Sequence, residues 1–165
     1  MNWLFLAVII FTILFGVVVL VGAPYLPTLR PQTIAALELL NLRPGQTLLE
    51  LGSGDGRVMR AAAARGLTVV GYELNPLLVL VSLAVTWRYR RQVRVVWGNF
   101  WRADWPETDG IFVFLLDKYM QKLDKKVIQK QRRQNKPIKL VSFSFKIPGR
   151  TIDSQQSGLF LYRYY

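Results

Sequence analysis

The stretch Leu48-Leu49-Glu50-Leu51-Gly52-Ser53-Gly54-Asp55-Gly56-Arg57 decides how the 165-residue chain is read. An apolar run, Thr47–Leu51, ends in a turn of alternating glycines, which opens directly into a helical pattern, Arg57–Arg65, closed by Gly66. Glycines at such a turn let the backbone bend sharply and let a ligand approach without a side chain in the way. The dinucleotide fingerprint G-x-G-x-x-G requires a glycine where this chain has Arg57, so that pattern is not met. What stands instead is E-x-G-x-G-x-G. A carboxylate at Glu50 suits a ligand with a positive or amine-bearing end better than a pyrophosphate.

Outward from this turn the pattern alternates. A short helix, Thr33–Leu40, precedes the first strand and is stopped by Asn41 and Pro44. Strands are expected at Thr68–Glu73, Val93–Trp97, Ile111–Leu116, Ile138–Lys146 and Gly158–Tyr164. Helices are expected from Asn75-Pro76, a cap with its N1 proline, to about Arg88, and over Lys118–Arg133. This alternation argues for an α/β fold: a compact doubly wound, Rossmann-like, mostly parallel sheet. The link between the last two strands is too short for a helical crossover, so the final strand should run antiparallel to its neighbour.

Three strand ends then offer three kinds of contact. Glu50 with Gly52, Ser53 and Gly54 suits an amine-bearing end. Glu73, seventeen positions after Gly56 and followed by Leu74, can accept two hydrogen bonds from the vicinal hydroxyls of a ribose. Gly98-Asn99-Phe100-Trp101 brings a side-chain amide and aromatic rings suited to an adenine. S-adenosyl-L-methionine (SAM) has these three parts. The bland alternatives are a tight turn for the glycines, a solvated carboxylate for Glu73 and a turn former for Asn99.

On these motifs the chain resembles the class I SAM-dependent methyltransferases over most of residues 33–146. ELGSGDGR, GYELNP and NFWRAD behind one hydrophobic N-terminal segment narrow this to a small family. It is similar to the membrane-associated protein-lysine methyltransferases whose mitochondrial members modify the ATP synthase c subunit and the adenine nucleotide translocase. The resemblance implies SAM as donor and a lysine of a membrane protein as acceptor. By motif matching it implies that Glu50, Gly52 and Gly54 line the methionine end, Glu73 the ribose and Asn99 the adenine. The chain departs from the family in having Glu50 and Asn99 where Asp is usual. It also has Leu116-Asp117-Lys118-Tyr119-Met120 in place of an apolar, proline-containing segment.

Residues Trp3–Gly22 carry no charge, and twenty residues of helix span about 30 Å, the hydrocarbon core of a bilayer. A secretory signal would have a basic start and a shorter apolar stretch of about 7–15 residues. Residues 1–23 are therefore expected to form a retained transmembrane anchor, 24–32 a proline-punctuated linker and 33–165 the methyltransferase domain. The first charge is Arg30, so the positive-inside rule places the globular part on the cytoplasmic side of a single-pass membrane protein. With 22 Lys+Arg against 10 Asp+Glu the net charge is +12, which favours anionic partners. Asp117–Lys139 alone holds nine basic residues against two acids, a solvated helix face or a site of attraction to anionic lipid. No nucleic-acid motif accompanies the charge, so nucleic acid is disfavoured.

The chain contains no histidine and no cysteine, which excludes catalytic triads, cysteine nucleophiles, zinc fingers and disulfides; no metal site is expected. Methyl transfer to an amine is an in-line displacement that needs no covalent residue, only an oriented, deprotonated acceptor in a dry pocket. Asp117 and Tyr119, just past the carboxyl end of a strand, are the candidates for orienting that amine. Asp117 also suits a helix N-cap. Trp97, Trp101 and Trp105 read as packing or membrane-interface residues. Two rival functions remain open: methylation of a lipid or small amphiphile, and a non-catalytic SAM-binding or membrane scaffold.

Overall fold

The computed structural model describes residues 2–6, 8–9, 12 and 28–165. The expected membrane span at 3–22 lies mostly outside them. Among the described residues no helix is long and apolar enough to cross a membrane.

The chain folds as α1 (Arg30–Leu40), β1 (Thr47–Leu51), α2 (Arg57–Ala63), β2 (Thr68–Glu73), α3 (Pro76–Thr86), β3 (Val93–Trp97), β4 (Gly110–Val113), α4 (Met120–Gln134), β5 (Ile138–Phe143), β6 (Ser154–Gln156) and β7 (Leu159–Tyr164). One seven-stranded sheet runs in the order β3-β2-β1-β4-β5-β7-β6. β1 is an interior strand, parallel to β2 through Leu51↔Tyr72 and to β4 through Leu51↔Val113. β7 is antiparallel to β5, as expected for the final strand.

Alternation along β1 separates two cores. Leu48 belongs to the core shared with α1, α2, Val69 and Phe112. Leu49 and Leu51 belong to the other, with Ile111, Val113 and the α4 residues Met120, Leu123 and Val127. On that second face no helix joins β3 to β4. The loop of residues 98–109 takes its place, with buried Trp105 as the plug. The Trp105 indole N–H donates to the Phe100 carbonyl at 2.9 Å, so the ring is buried without an orphaned donor.

The structure corrects several boundaries. α1 begins at Arg30, three residues inside the expected linker, because Pro31 falls in the helix's first turn, where no N–H is needed. β4 stops at Val113, level with the end of its partner β1. β5 ends at Phe143 because Ser144 turns left-handed (φ 70). The segment before β7 is itself a strand: β6 pairs with β7 through Gln156↔Leu159. Ser157 and Gly158, both with positive φ, make the two-residue turn between them.

Candidate active site

The glycine turn folds back on the end of β2. The Gly52 and Ser53 N–H groups both donate to the Tyr72 carbonyl at 2.9 Å, and Gly56 N–H donates to Ser53 O. Gly52 and Gly56 are left-handed (φ 86 and 79), a region costly for other residues. A Cβ built on Gly52 meets no atom within 4 Å, so that face of the loop is open. One built on Gly56 runs into the Ser82 side chain, so that glycine serves the contact between α2 and α3.

Glu73 braces this loop. Its Oε2 accepts from Gly54 N–H at 2.8 Å, and its Oε1 accepts from Leu74 and Asn75 N–H at 2.9 and 2.8 Å. A carboxylate has about four acceptor directions, so three backbone donors leave one for a ligand hydroxyl. The Asn75 side chain accepts from Leu77 N–H and caps α3, as its pairing with Pro76 suggested.

Glu50 is buried between Gly71 of β2 and Phe112 of β4. Burial raises its carboxyl well above the ordinary carboxylate value, and the Asp55 and Glu73 carboxylates add to this against an opposing hydrogen bond with the Met59 backbone. Glu50 Oε2 and the buried Ser53 Oγ have no hydrogen-bond partner among the described residues. Two orphaned acceptors beside an open glycine turn fit the amine-bearing end of SAM, because an ammonium donates only hydrogen bonds and brings positive charge to a carboxylate crowded by others.

Asn99 lies at the end of β3 and shapes its own loop. Its Oδ1 accepts from Trp101 N–H at 2.9 Å, and its carbonyl accepts from Arg102 and Ala103 N–H. The side-chain carbonyl is thus committed to a turn, and its NH2 faces no described acceptor. Phe100 packs at a tilt against Trp101, ring centres 4.7 Å apart, and Trp101 stands 6.1 Å from the ring of Tyr119. Tyr119 and Asp117 belong to a 3-10 turn, Asp117–Tyr119, that leads into α4. Its cap position is Leu116 and no side chain caps it, so the expected N-cap role of Asp117 is not met; the carboxylate is exposed.

Two groups therefore form. Glu50, Gly52, Ser53, Gly54, Glu73 and Leu74 are joined by the glycine turn and its hydrogen bonds. Asn99, Phe100, Trp101 and Tyr119 are joined by ring contacts and the Asn99 turn. No hydrogen bond or ring contact links the first group to Asp117 among the described residues. The sequence reading also missed a lysine ladder. Lys118, Lys122 and Lys126, four residues apart, hold their ammonium groups over the rings of Tyr119, Trp101 and Trp105 at 4.9, 4.5 and 4.8 Å. Lys126 also donates to the Trp101 and Ala103 carbonyls, and Lys130 to that of Trp105. The spacing of four was visible in the chain, but two of its aromatic partners, Trp101 and Trp105, stand in a distant loop. No cluster among the described residues is arranged to hold a metal ion.

The profile of the ANTKMT methyltransferase domain matches residues 50–154. The ATP synthase C-subunit lysine N-methyltransferase of Homo sapiens is 31% identical over 132 residues, covering 79% of this chain and 55% of that protein. A protein-lysine N-methyltransferase of Saccharolobus islandicus (strain REY15A) is 31% identical over 136 residues, covering 76% of this chain and 79% of that protein. An RNA methyltransferase from Salinibacter ruber, solved with S-adenosyl-L-homocysteine, matches with a TM-score of 0.72 and 28% identity, over 84% of this chain and 92% of that one. The chain spans about half the length of the vertebrate relatives it matches. The matched residues run from Glu50, at the glycine turn, to the start of β6, and with them the chain belongs to the ANTKMT methyltransferase family.

Proposed function

We propose that the protein is a membrane-anchored, SAM-dependent methyltransferase that N-methylates a lysine of a membrane or membrane-proximal protein. One observation carries the donor half: the buried, unpartnered Glu50 Oε2 and Ser53 Oγ beside the open face of Gly52. When bound, SAM supplies an activated methyl group on a sulfonium. Glu50 and Ser53 would receive its amine-bearing end, Glu73 a ribose hydroxyl, and Asn99 and Phe100 the adenine. The names of the relatives support lysine as acceptor, and the uncharged run Trp3–Gly22 supports an anchor with the globular part on the cytoplasmic side.

The chain's own residues then orient the acceptor. Its ammonium must lose a proton before the nitrogen lone pair can attack, and the proton leaves to water or to a nearby carboxylate or phenolate. Asp117 and Tyr119, past the end of β4, hold the amine. The test incubates the protein with methyl-labelled SAM and a membrane fraction, and locates the label by mass spectrometry. Label on a protein lysine is expected. It should be lost in Glu50→Gln through donor affinity, and lowered at least tenfold in Asp117→Ala with donor affinity unchanged. Label in lipid or in RNA, with none on protein, overturns lysine as the acceptor, and a folded chain that binds no SAM overturns the enzyme reading.

A further inference from the structure

Helix α3 is inverted in polarity. Its two hydroxyl residues face inward: Ser82 and Thr86 are 0% and 3% exposed, while Leu80, Val81, Leu83 and the following Trp87 are 63%, 45%, 46% and 65% exposed. Both buried hydroxyls are satisfied within the protein, Ser82 Oγ against Met59 Sδ at 3.6 Å and Thr86 Oγ1 against the Ser82 carbonyl at 2.7 Å. A helix facing water would present the reverse pattern. Contiguous apolar residues of this kind mark a contact with something other than water.

The surroundings of this face identify what covers it. From Leu74 to Ala103 the chain has no acidic residue and five arginines: Arg88, Arg90, Arg91, Arg94 and Arg102. Arg88, Arg90 and Arg91 are exposed in the turn that ends α3, and the Arg90 guanidinium lies 5.0 Å over the exposed ring of Trp87. Apolar side chains edged by a tryptophan and a run of arginines match an anionic lipid surface layer by layer: acyl chains for the leucines, the interface for the indole, headgroups for the guanidinium groups. A protein partner needs no such run of one charge.

We infer that α3 lies in the plane of an anionic phospholipid surface, Leu80 and Leu83 inward and Arg88, Arg90 and Arg91 on the headgroups. This is a second attachment, separate from the N-terminal span, and it holds the domain in one orientation on the membrane. It rests on the α3 surface and not on the methyltransferase reading, whose failure would show in methyl transfer alone.

Because the chain has no cysteine, a single Leu83→Cys carries a fluorophore without competing thiols. The full chain is placed in vesicles of phosphatidylcholine with phosphatidylserine, and quenching by lipid-borne nitroxides is compared with quenching by aqueous iodide. The expected result is a blue-shifted label quenched at least threefold more by the lipid probe than the same label at Gln129→Cys, an exposed position on α4. That contrast should disappear in phosphatidylcholine alone and in the triple variant Arg88→Glu, Arg90→Glu, Arg91→Glu. Equal, iodide-accessible labels in both positions overturn the inference. So does shielding at Leu83 that persists in dilute detergent, which would mean that the N-terminal segment covers α3. Shielding that grows with protein concentration would mean a second copy, and overturns it too. Leu80→Cys repeats the measurement if Leu83→Cys fails to fold.

Discussion

Glu50 is a carboxylate placed where water cannot solvate it and where two other carboxylates repel its charge. Its acid form is favoured in the folded chain, so stability from this group is full below the ordinary value of 4.5 and is lost as pH rises through the raised value. Glu50→Gln should therefore lose little stability in acid and become progressively more stable than the parent as pH rises, as thermal melts across pH will show. A cation bound beside Glu50 reverses the preference and expels the proton. SAM binding to the parent should release a proton that calorimetry in buffers of different ionisation enthalpy detects, and Glu50→Gln should release none. The glycines after Glu50 single it out in the sequence as the acid of the proposed ligand site, but its burial was not legible. Burial depends on Gly71 and Phe112, brought alongside by strand pairing from far along the chain.

At the level of elements, two glycines of one turn do different work. Gly56→Ala adds a methyl group that collides with Ser82 and comes within 3.0 Å of its Cα, in a left-handed backbone. It should destabilise the fold by more than about 2 kcal/mol, because strain and overpacking add. Gly52→Ala meets only open space, so it should cost about 1–2 kcal/mol of strain. Its larger effect should fall on SAM affinity, since the methyl group would occupy the approach of the ligand in the proposed site. Urea melts beside calorimetric titration separate the two. Elements punctuated by local chemistry were readable: β1, β2 and β3 begin and end where glycine, asparagine and apolar runs change. β6 was not, because Ser154–Gln156 is polar and wholly exposed and is a strand only through its pairing with β7. The upper rungs of the lysine ladder were hidden for the same reason, since Lys122 and Lys126 meet Trp101 and Trp105 only when the loop after β3 folds onto α4.

For the whole molecule, the seam between β1 and β4 is held at its far end from the site by Asp109. Its carboxylate accepts from Thr47 N–H at 2.8 Å and Gln46 Nε2 at 3.1 Å, and pairs with Lys136 at 2.6 Å. Burial alone would raise this acid; the Lys136 ammonium and the two donors outweigh it and hold it below the ordinary value. That stability is present above 3.8 and lost as pH falls through the lowered value. Asp109→Asn should cost about 1–3 kcal/mol at neutral pH by leaving Thr47 and Lys136 short of a partner. The gap to the parent should close in acid, while SAM affinity, which the proposed site puts at the opposite end of the strands, should stay unchanged.

The strand order also dictates a sequence of events in time. β1 can pair with β2 once both have left the ribosome, but its other edge waits for β4, with Leu48 meeting Gly110 across about sixty intervening residues. Sheets closed by such distant pairings fold slowly, and an apolar strand edge left open meanwhile invites mispairing with other chains. The seam between β1 and β4 thus closes only after more than half of the chain has been made. While the chain between Leu51 and Gly110 is being made, a nascent molecule carries that open edge and is exposed to aggregation.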